Sequence, residues 1–371
     1  MAVPADQLPV RLAACDCLTP FGDAAATHAA LLRGERALQP VPVLGAEGGD
    51  AVPLALLAGR ALDEALPPAW LQPLATLLAP VSGPGWGTAR RPVCVTSSNF
   101  GVGSLHALRR TGEAAHAAHG APHSSVELVR RTMGWGENVT IFSHACVSAH
   151  LGLIHAQRLL AAGVADEVLV ASYDFLSPFV AGGFHALKIL NVEFPAPYQD
   201  RATGSIGLGD GAGYAVLTRD RGDFAIAAQS THNELYHFTA NRPDGAGFAA
   251  ALAPIAAAAA GRKVWAKGHG TGTLEAGRLE ATAMAQALPG APLVGWKGSL
   301  GHTLGSCGVV ELAVVAASLR AGRTPGTVGS ASPAFTDTVA IGAFDNRAFD
   351  GVVCASNAFG GAHAALLLCH A

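Results

Sequence analysis

A cysteine beside a helix start is the first group in this chain able to do chemistry. It lies in Asn138-Val-Thr-Ile-Phe-Ser-His-Ala-Cys-Val-Ser-Ala-His150. The β-branched run 139–142 predicts a short buried strand. Ser143-His144-Ala145 turns the chain, and 147–162 has Leu151, Ile154, Leu159 and Leu160 at helical spacing. Cys146 thus falls on a strand-to-helix turn, where unpaired N–H groups and the helix dipole favour a thiolate, hence a nucleophile. Three other readings stay open on this stretch alone. Cys146 could be a small core residue, a metal ligand with His144 and His150, or a redox-sensing thiol.

Three later segments also carry chemistry: Lys267-Gly-His-Gly-Thr-Gly-Thr273, Lys297-Gly-Ser-Leu-Gly-His302 and Asn357-Ala-Phe-Gly-Gly361. His269 and His302 each sit among glycines just after a predicted strand, so each belongs to a loop rather than an apolar helix face. One histidine so placed is commonly structural. Two of them, with a cysteine on a strand-to-helix turn, favour catalysis. No C-x-x-C or H-E-x-x-H pattern accompanies them, so no metal is expected.

Elements to position these loops follow in alternation. Strands are predicted over 10–14, 93–97, 167–171, 214–217 and 223–229, with a helix over 23–33. The second half reads helix 247–260, strand 263–266, helix 275–288, strand 293–295, helix 306–320, then closing strands 352–355 and 362–368. This pattern argues for α/β layers. Gly222 marks the midpoint, giving halves 1–221 and 222–371. Residues 40–92, rich in Pro, Gly and Ala, read as surface-packed connection with short helical pieces. Asn99-Phe-Gly-Val-Gly103 reads as a tightly packed glycine loop beside the nucleophile.

The totals exclude several classes. The 371 residues suffice for two domains or one large α/β unit. Half are hydrophobic and only 14% charged, which implies extensive burial, including a subunit interface. A net charge of −3 gives no footprint for nucleic acid or anionic membrane. Seven cysteines without framework spacing fit reduced thiols. The first six residues lack a signal-peptide layout, and charges and glycines interrupt the apolar runs. A cytoplasmic globular protein is expected.

In combination, Ala145-Cys146-x-Ser148, His269-Gly-Thr-Gly-Thr273 and Lys297…Gly301-His302-Thr303 resemble the β-ketoacyl-acyl-carrier-protein synthases, the condensing enzymes of the thiolase superfamily. Tyr236-His-Phe-Thr-Ala240 and Gly209-Asp-Gly-Ala-Gly213 look like further family segments. The resemblance implies a thiolase-like five-layered αβαβα fold from two related halves, normally dimeric, with the nucleophile in the first half and both histidines in the second. It maps the nucleophile to Cys146, the active-site histidines to His269 and His302, the lysine to Lys297 and the acidic partner of that lysine to Glu280.

The implied reaction is decarboxylative Claisen condensation in fatty-acid, polyketide or polyene synthesis. Cys146 would take an acyl group from a carrier protein. His269 and His302 would donate Nε2–H bonds to the enolate formed as malonyl loses CO₂. The backbone N–H groups of Cys146 and Phe359 would hold the tetrahedral oxyanion. Thr271 and Thr273 would bind the phosphopantetheine arm, which arrives on the carrier, with no cofactor bound by the protein itself. Phe359 would gate the acyl pocket, and Arg201 matches the position that docks the carrier, with Arg130 and Arg131 as further candidates. Gly277 and Asn357 depart from the family pattern, Asn357 implying a looser or more polar gate. The alternative is a chain-length-factor-like partner subunit, a class that usually lacks the nucleophile.

Overall fold

The computed structural model describes residues 10–43, 49–63 and 66–371; the N-terminal six residues lie outside them. Ten strands form its frame. The first five are β1 Val10–Leu18, β2 Val93–Thr96, β3 Val139–Phe142, β4 Glu167–Asp174 and β5 Gly211–Thr218. The others are β6 Phe224–Asn233, β7 Val264–Lys267, β8 Leu293–Val294, β9 Gly351–Ala358 and β10 Ala362–His370.

Their spatial order is β8-β7-β9-β10-β6-β1-β5-β4-β2-β3. Cut between β6 and β1, this becomes two five-stranded sheets of one topology, β1-β5-β4-β2-β3 and β6-β10-β9-β7-β8. The pairing senses repeat as well. β1–β5 and β5–β4 are antiparallel and β4–β2 and β2–β3 parallel. β6–β10 and β10–β9 are antiparallel and β9–β7 and β7–β8 parallel. Only three residue pairs join β1 to β6. The division expected at 221/222 falls in the 219–223 connection between β5 and β6. There Gly222 takes φ +138°, and a Cβ would strike the Leu12 carbonyl.

Side-chain alternation divides the strands between three apolar layers. Val168, Val170, Val352, Leu366 and Leu368 face the central layer, filled by helices Ser148–Ala161 and Cys307–Ala321. Leu169, Ala171, Val93 and Val95 face outward onto helices Pro67–Leu78 and Pro122–Met133. Val353 and Leu367 face helices Ala246–Ala258 and Leu274–Ala287 on the opposite outside. The result is the expected αβαβα stack.

Cys307–Ala321 is buried nearly all round, as a helix between two sheets must be. Among the described residues, 304–321 is the one helical stretch apolar and long enough to cross a bilayer, yet it is mostly buried between the sheets.

Residues 40–92 depart from the expected surface connection. Gln39–Pro42, Ala51–Ala55 and Leu208–Gly209 form a three-stranded sheet. Pro67 sets the first turn of Pro67–Leu78, and Trp70, Leu74 and Leu78 fill the outer core, with Trp70 stacked on Tyr173. The glycine loop is tight as expected, since a Cβ on Gly101 would overlap the backbone of His119 and Gly120.

Candidate active site

Each central helix begins in the same region, and the reactive groups gather between the two starts. In the first half the chain leaves β3 and turns at Ala145, which adopts φ +45°, a strained conformation for a residue with a Cβ. Ser148 holds the turn: its hydroxyl accepts from His144 N at 2.7 Å and donates to Ala145 O at 2.6 Å. Cys146 is thereby set just before the helix. In the second half, Gly301 at φ +69° lets the chain pass against Leu208. His302 is then pinned through its backbone, its N–H donating to Gly207 O at 2.7 Å and its carbonyl accepting from Gly209 N at 3.0 Å.

Cys146 Sγ lies 2.9 Å from His302 Nε2. Leu304 N donates to His302 Nδ1 at 3.2 Å, which places the ring proton on Nε2 and makes that nitrogen a donor toward the sulfur. The His269 ring meets the His302 ring edge-on, with centroids 4.8 Å apart. Ligand-type atoms of Cys146, His269 and His302 fall within 4.8 Å of one another, a spacing a metal could use. A nitrogen that keeps its proton is a hydrogen-bond donor rather than a ligand, so the His302 tautomer fits an anionic substrate better. His150, the helix histidine of the metal reading, is instead buried against Gly308.

Burial pushes the Cys146 thiol up, helped by Cys307, while Lys297 pulls it down. Burial thus works against the thiolate that the strand-to-helix turn favours. Burial, then Lys297, hold both histidines well below their usual value, so both stay neutral.

The acidic partner of Lys297 is Glu311, not Glu280. Lys297 Nζ contacts Glu311 Oε1 at 2.6 Å, and Lys267 Nζ contacts the other carboxylate oxygen. All three groups are buried. Desolvation would raise the Glu311 carboxyl, but the two ammonium groups outweigh it and hold it low. Glu280 braces the His269 loop instead. It accepts from His269 N at 2.5 Å, Gly270 N at 2.9 Å and the Tyr198 hydroxyl at 2.9 Å. Glu280 sits about two helical turns beyond the predicted motif, whereas Glu311 is a lone acid in the run Cys307-Gly-Val-Val-Glu-Leu-Ala-Val-Val315, the one sequence signal that could have found it.

Asn357 is pinned. Its amide donates to Glu280 at 3.0 Å and its carbonyl faces His363 Nδ1 at 2.9 Å. His363 in turn lies 3.6 Å from the buried Glu234 carboxylate. Asn357 is thus braced on both sides, and it belongs to β9 rather than to a loop between strands.

A cavity of about 210 Å³ opens over Cys146, His269 and His302. Thr271 and Thr273, with hydroxyls 3.3 Å apart, line it, as do Phe184 and Phe359, whose rings stack at 5.9 Å. Phe359 is one-third exposed. Arg201 lies outside the cavity lining, with its guanidinium donating to Phe194 O at 3.2 Å, and Arg130 and Arg131 pair with Glu127.

Asp174, at the end of β4, fastens the two halves beneath the site. It accepts from the Ser97 hydroxyl at 2.7 Å and Asn99 N at 2.9 Å in one half and from Ser306 N at 3.1 Å in the other. Burial raises its carboxyl to about 6 against the pull of those donors.

Residues 224–330 match the family described as beta-ketoacyl synthase, C-terminal domain. That stretch contains His269, Lys297, His302 and Glu311. Over that stretch the chain is similar to the β-ketoacyl synthases. It is 29% identical over 256 residues to the tetracenomycin polyketide synthase ketoacyl synthase alpha subunit of Streptomyces glaucescens, covering 62% of this chain and 59% of that one. It is 28% identical over 257 residues to the 3-oxoacyl-[acyl-carrier-protein] synthase 2 of Vibrio cholerae, covering 62% of each. The alignments thus span about three fifths of those synthases' length. A β-ketoacyl synthase from Burkholderia phymatum superposes with TM-score 0.82 at 19% identity, over 98% of this chain and all of the other. A ketosynthase solved with its chain length factor from Xenorhabdus doucetiae superposes with TM-score 0.76 at 20% identity over the whole of both chains. The fold is therefore that of the thiolase-like synthases.

Proposed function

We propose that this chain is an acyltransferase of the 3-oxoacyl-carrier-protein synthase type. The observation that carries this reading is Cys146 Sγ at 2.9 Å from a His302 nitrogen fixed as a donor, with His269 beside it under one cavity. The Cys146 sulfur attacks the thioester carbonyl of an acyl carrier, and the carrier thiol leaves with a proton. Malonyl bound in its place loses CO₂, and the enolate oxygen receives hydrogen bonds from the two imidazoles. The resulting carbanion attacks the acyl carbon and expels the Cys146 sulfur, giving a 3-oxoacyl thioester. On this reading Thr271 and Thr273, which line the cavity, bind the pantetheine arm carried by the partner, and no cofactor is held by the chain. Phe359 gates the pocket, with its N–H and that of Cys146 serving the oxyanion.

The partners of this reading are an acyl carrier protein, with Arg201 as a docking residue, and a second synthase-like chain, identical or not. Support for the second chain comes from β3, a sheet edge whose four residues are all half-buried. The alternative, a partner subunit that only shapes the product, is disfavoured by the assembled Cys146, His269 and His302. We place the protein in the cytoplasm.

The test uses purified chain, an acyl-carrier thioester and malonyl carrier protein, with intact-mass and size measurement. One acyl mass on Cys146, CO₂ release and a 3-oxoacyl product from a dimer are expected. Loading without condensation would point to an obligate heterodimer, and no loading would overturn the reading.

A further inference from the structure

Behind the site two ammonium groups share one carboxylate. Lys267 ends β7, Lys297 opens the short turn Lys297–Leu300, and Glu311 lies in the first turns of the central helix. The two ammonium groups clamp opposite oxygens of the one carboxylate, and neither lysine is more than 1% exposed. One lysine would suffice to neutralise Glu311. A second buried cation is costly, since removing an ion from water carries a penalty of several kcal/mol in general. Such a group persists where it acts on something else. Lys267 lies two residues before His269, on the strand that delivers that loop.

We propose that Lys267 is a second positioning cation of the site, giving the Lys267–Glu311–Lys297 cluster a net positive charge that offsets the buried Glu280 and Asp174 carboxylates and stabilises anions formed at Cys146, His269 and His302. It touches no substrate and acts through the field. The identity of those anions, a thiolate and an enolate, rests on the function proposed above, whereas the charge of the cluster does not. Around Lys267 stand Glu311, Lys297 and Cys307, and its charge also reaches His150, His269, His302 and Cys354. Around Cys146 stand Cys307, Lys297 and Asp174 beside the two histidines. Burial holds the Lys267 amine below its usual value against the push of Glu311, whose carboxylate it contacts directly.

The experiment is the pH profile of Cys146 alkylation by iodoacetamide in the full chain, followed by mass spectrometry of the Cys146 peptide, together with thermal melting. It needs no substrate, so it succeeds or fails apart from the condensation assay above. Lys267→Met leaves a neutral Lys297–Glu311 pair. The expected result is an alkylation profile moved to higher pH, with a rate near pH 8 reduced about tenfold, the scale of one charge acting at short range through protein. The melting temperature should hold or rise, because a costly buried cation is gone. Lys267→Arg should restore the parent profile. An unchanged profile in folded Lys267→Met would overturn the proposal. Should that variant not fold, Lys267→Gln is read the same way, and failure of both to fold would show the cation to be structural and overturn it too.

Discussion

The two sheets share one strand order and one set of pairing senses, yet they contribute different chemistry. In the first half the chain passes from β3 straight into its central helix and leaves a single reactive atom, Cys146 Sγ, at the junction. In the second half the corresponding connection, from β8 to Cys307–Ala321, is longer and carries Lys297 and His302, while the β7 loop adds His269. On the proposed reading, one half supplies the nucleophile and the other the hydrogen-bond donors. A repeated frame therefore fixes where groups are placed without fixing what they are, and the loop length between strand and central helix decides how many fit.

If the labour is divided this way, loading and decarboxylation should separate by half. The largest effect belongs to the first half. Cys146→Ala should abolish acyl loading by intact-mass measurement, and acylation that persisted would show the nucleophile to lie elsewhere. Next comes the buried cluster of the second half. Glu311→Gln leaves two lysines without a carboxylate, so urea unfolding should show a loss of about 3–5 kcal/mol. The same change at a surface pair such as Arg33–Glu35 should be nearly silent.

His302→Ala should cut CO₂ release from malonyl thioester about 10²-fold, the scale of losing one oxyanion donor, while loading continues at a reduced rate. Equal losses in both steps would erase the division between the halves. The smallest effect is the absence of one. Burial and Lys297 keep the histidines neutral well below the ordinary imidazole range. A histidine whose pKa is depressed gains its proton only at lower pH, so the donors persist as pH falls. CO₂ release by Cys146→Ala should therefore stay level from pH 8 through 6.5. A decline centred near 6.5 would mean that the site is wetter than its geometry shows.

Strands and helices near the site were readable because they are buried on both sides and appear as continuous apolar runs. Residues 67–78 were not, because Pro67, Pro68 and Pro73 disguise a helix whose Trp70, Leu74 and Leu78 recur at four-residue intervals. His269, His302 and Lys297 sit in glycine-bounded motifs and Cys146 on a strand-to-helix turn, and the structure brings them to one cavity edge or just behind it. The partner of Lys297 could not be read by proximity to a motif, since Glu311 reaches it across a helix turn. Lys267 looked like the flank of the His269 loop, and only its contact with Glu311 gives it a role. Asp174 ended an apolar strand with nothing nearby to mark it. Asn357 was visible as a departure, but His363 and Glu234, which hold it, are brought to it only by strand pairing and loop packing.

The Asp174 clasp sets an order of events in folding. Asp174 and its later partner, Ser306, lie 132 residues apart, and Ser306 emerges long after the first half has been synthesised. Contacts of such long sequence separation close late, because the loop entropy must be overcome before they form. The cysteine turn can take shape while the first half stands alone, but the loop that carries His302 toward it is fastened only when Ser306 reaches the carboxylate. A nascent or half-folded chain would then carry Cys146 without the His302 donor or the apolar cover of Ala358, Ala362 and Ala364. Reactivity would be acquired last, with the docking of the two sheets.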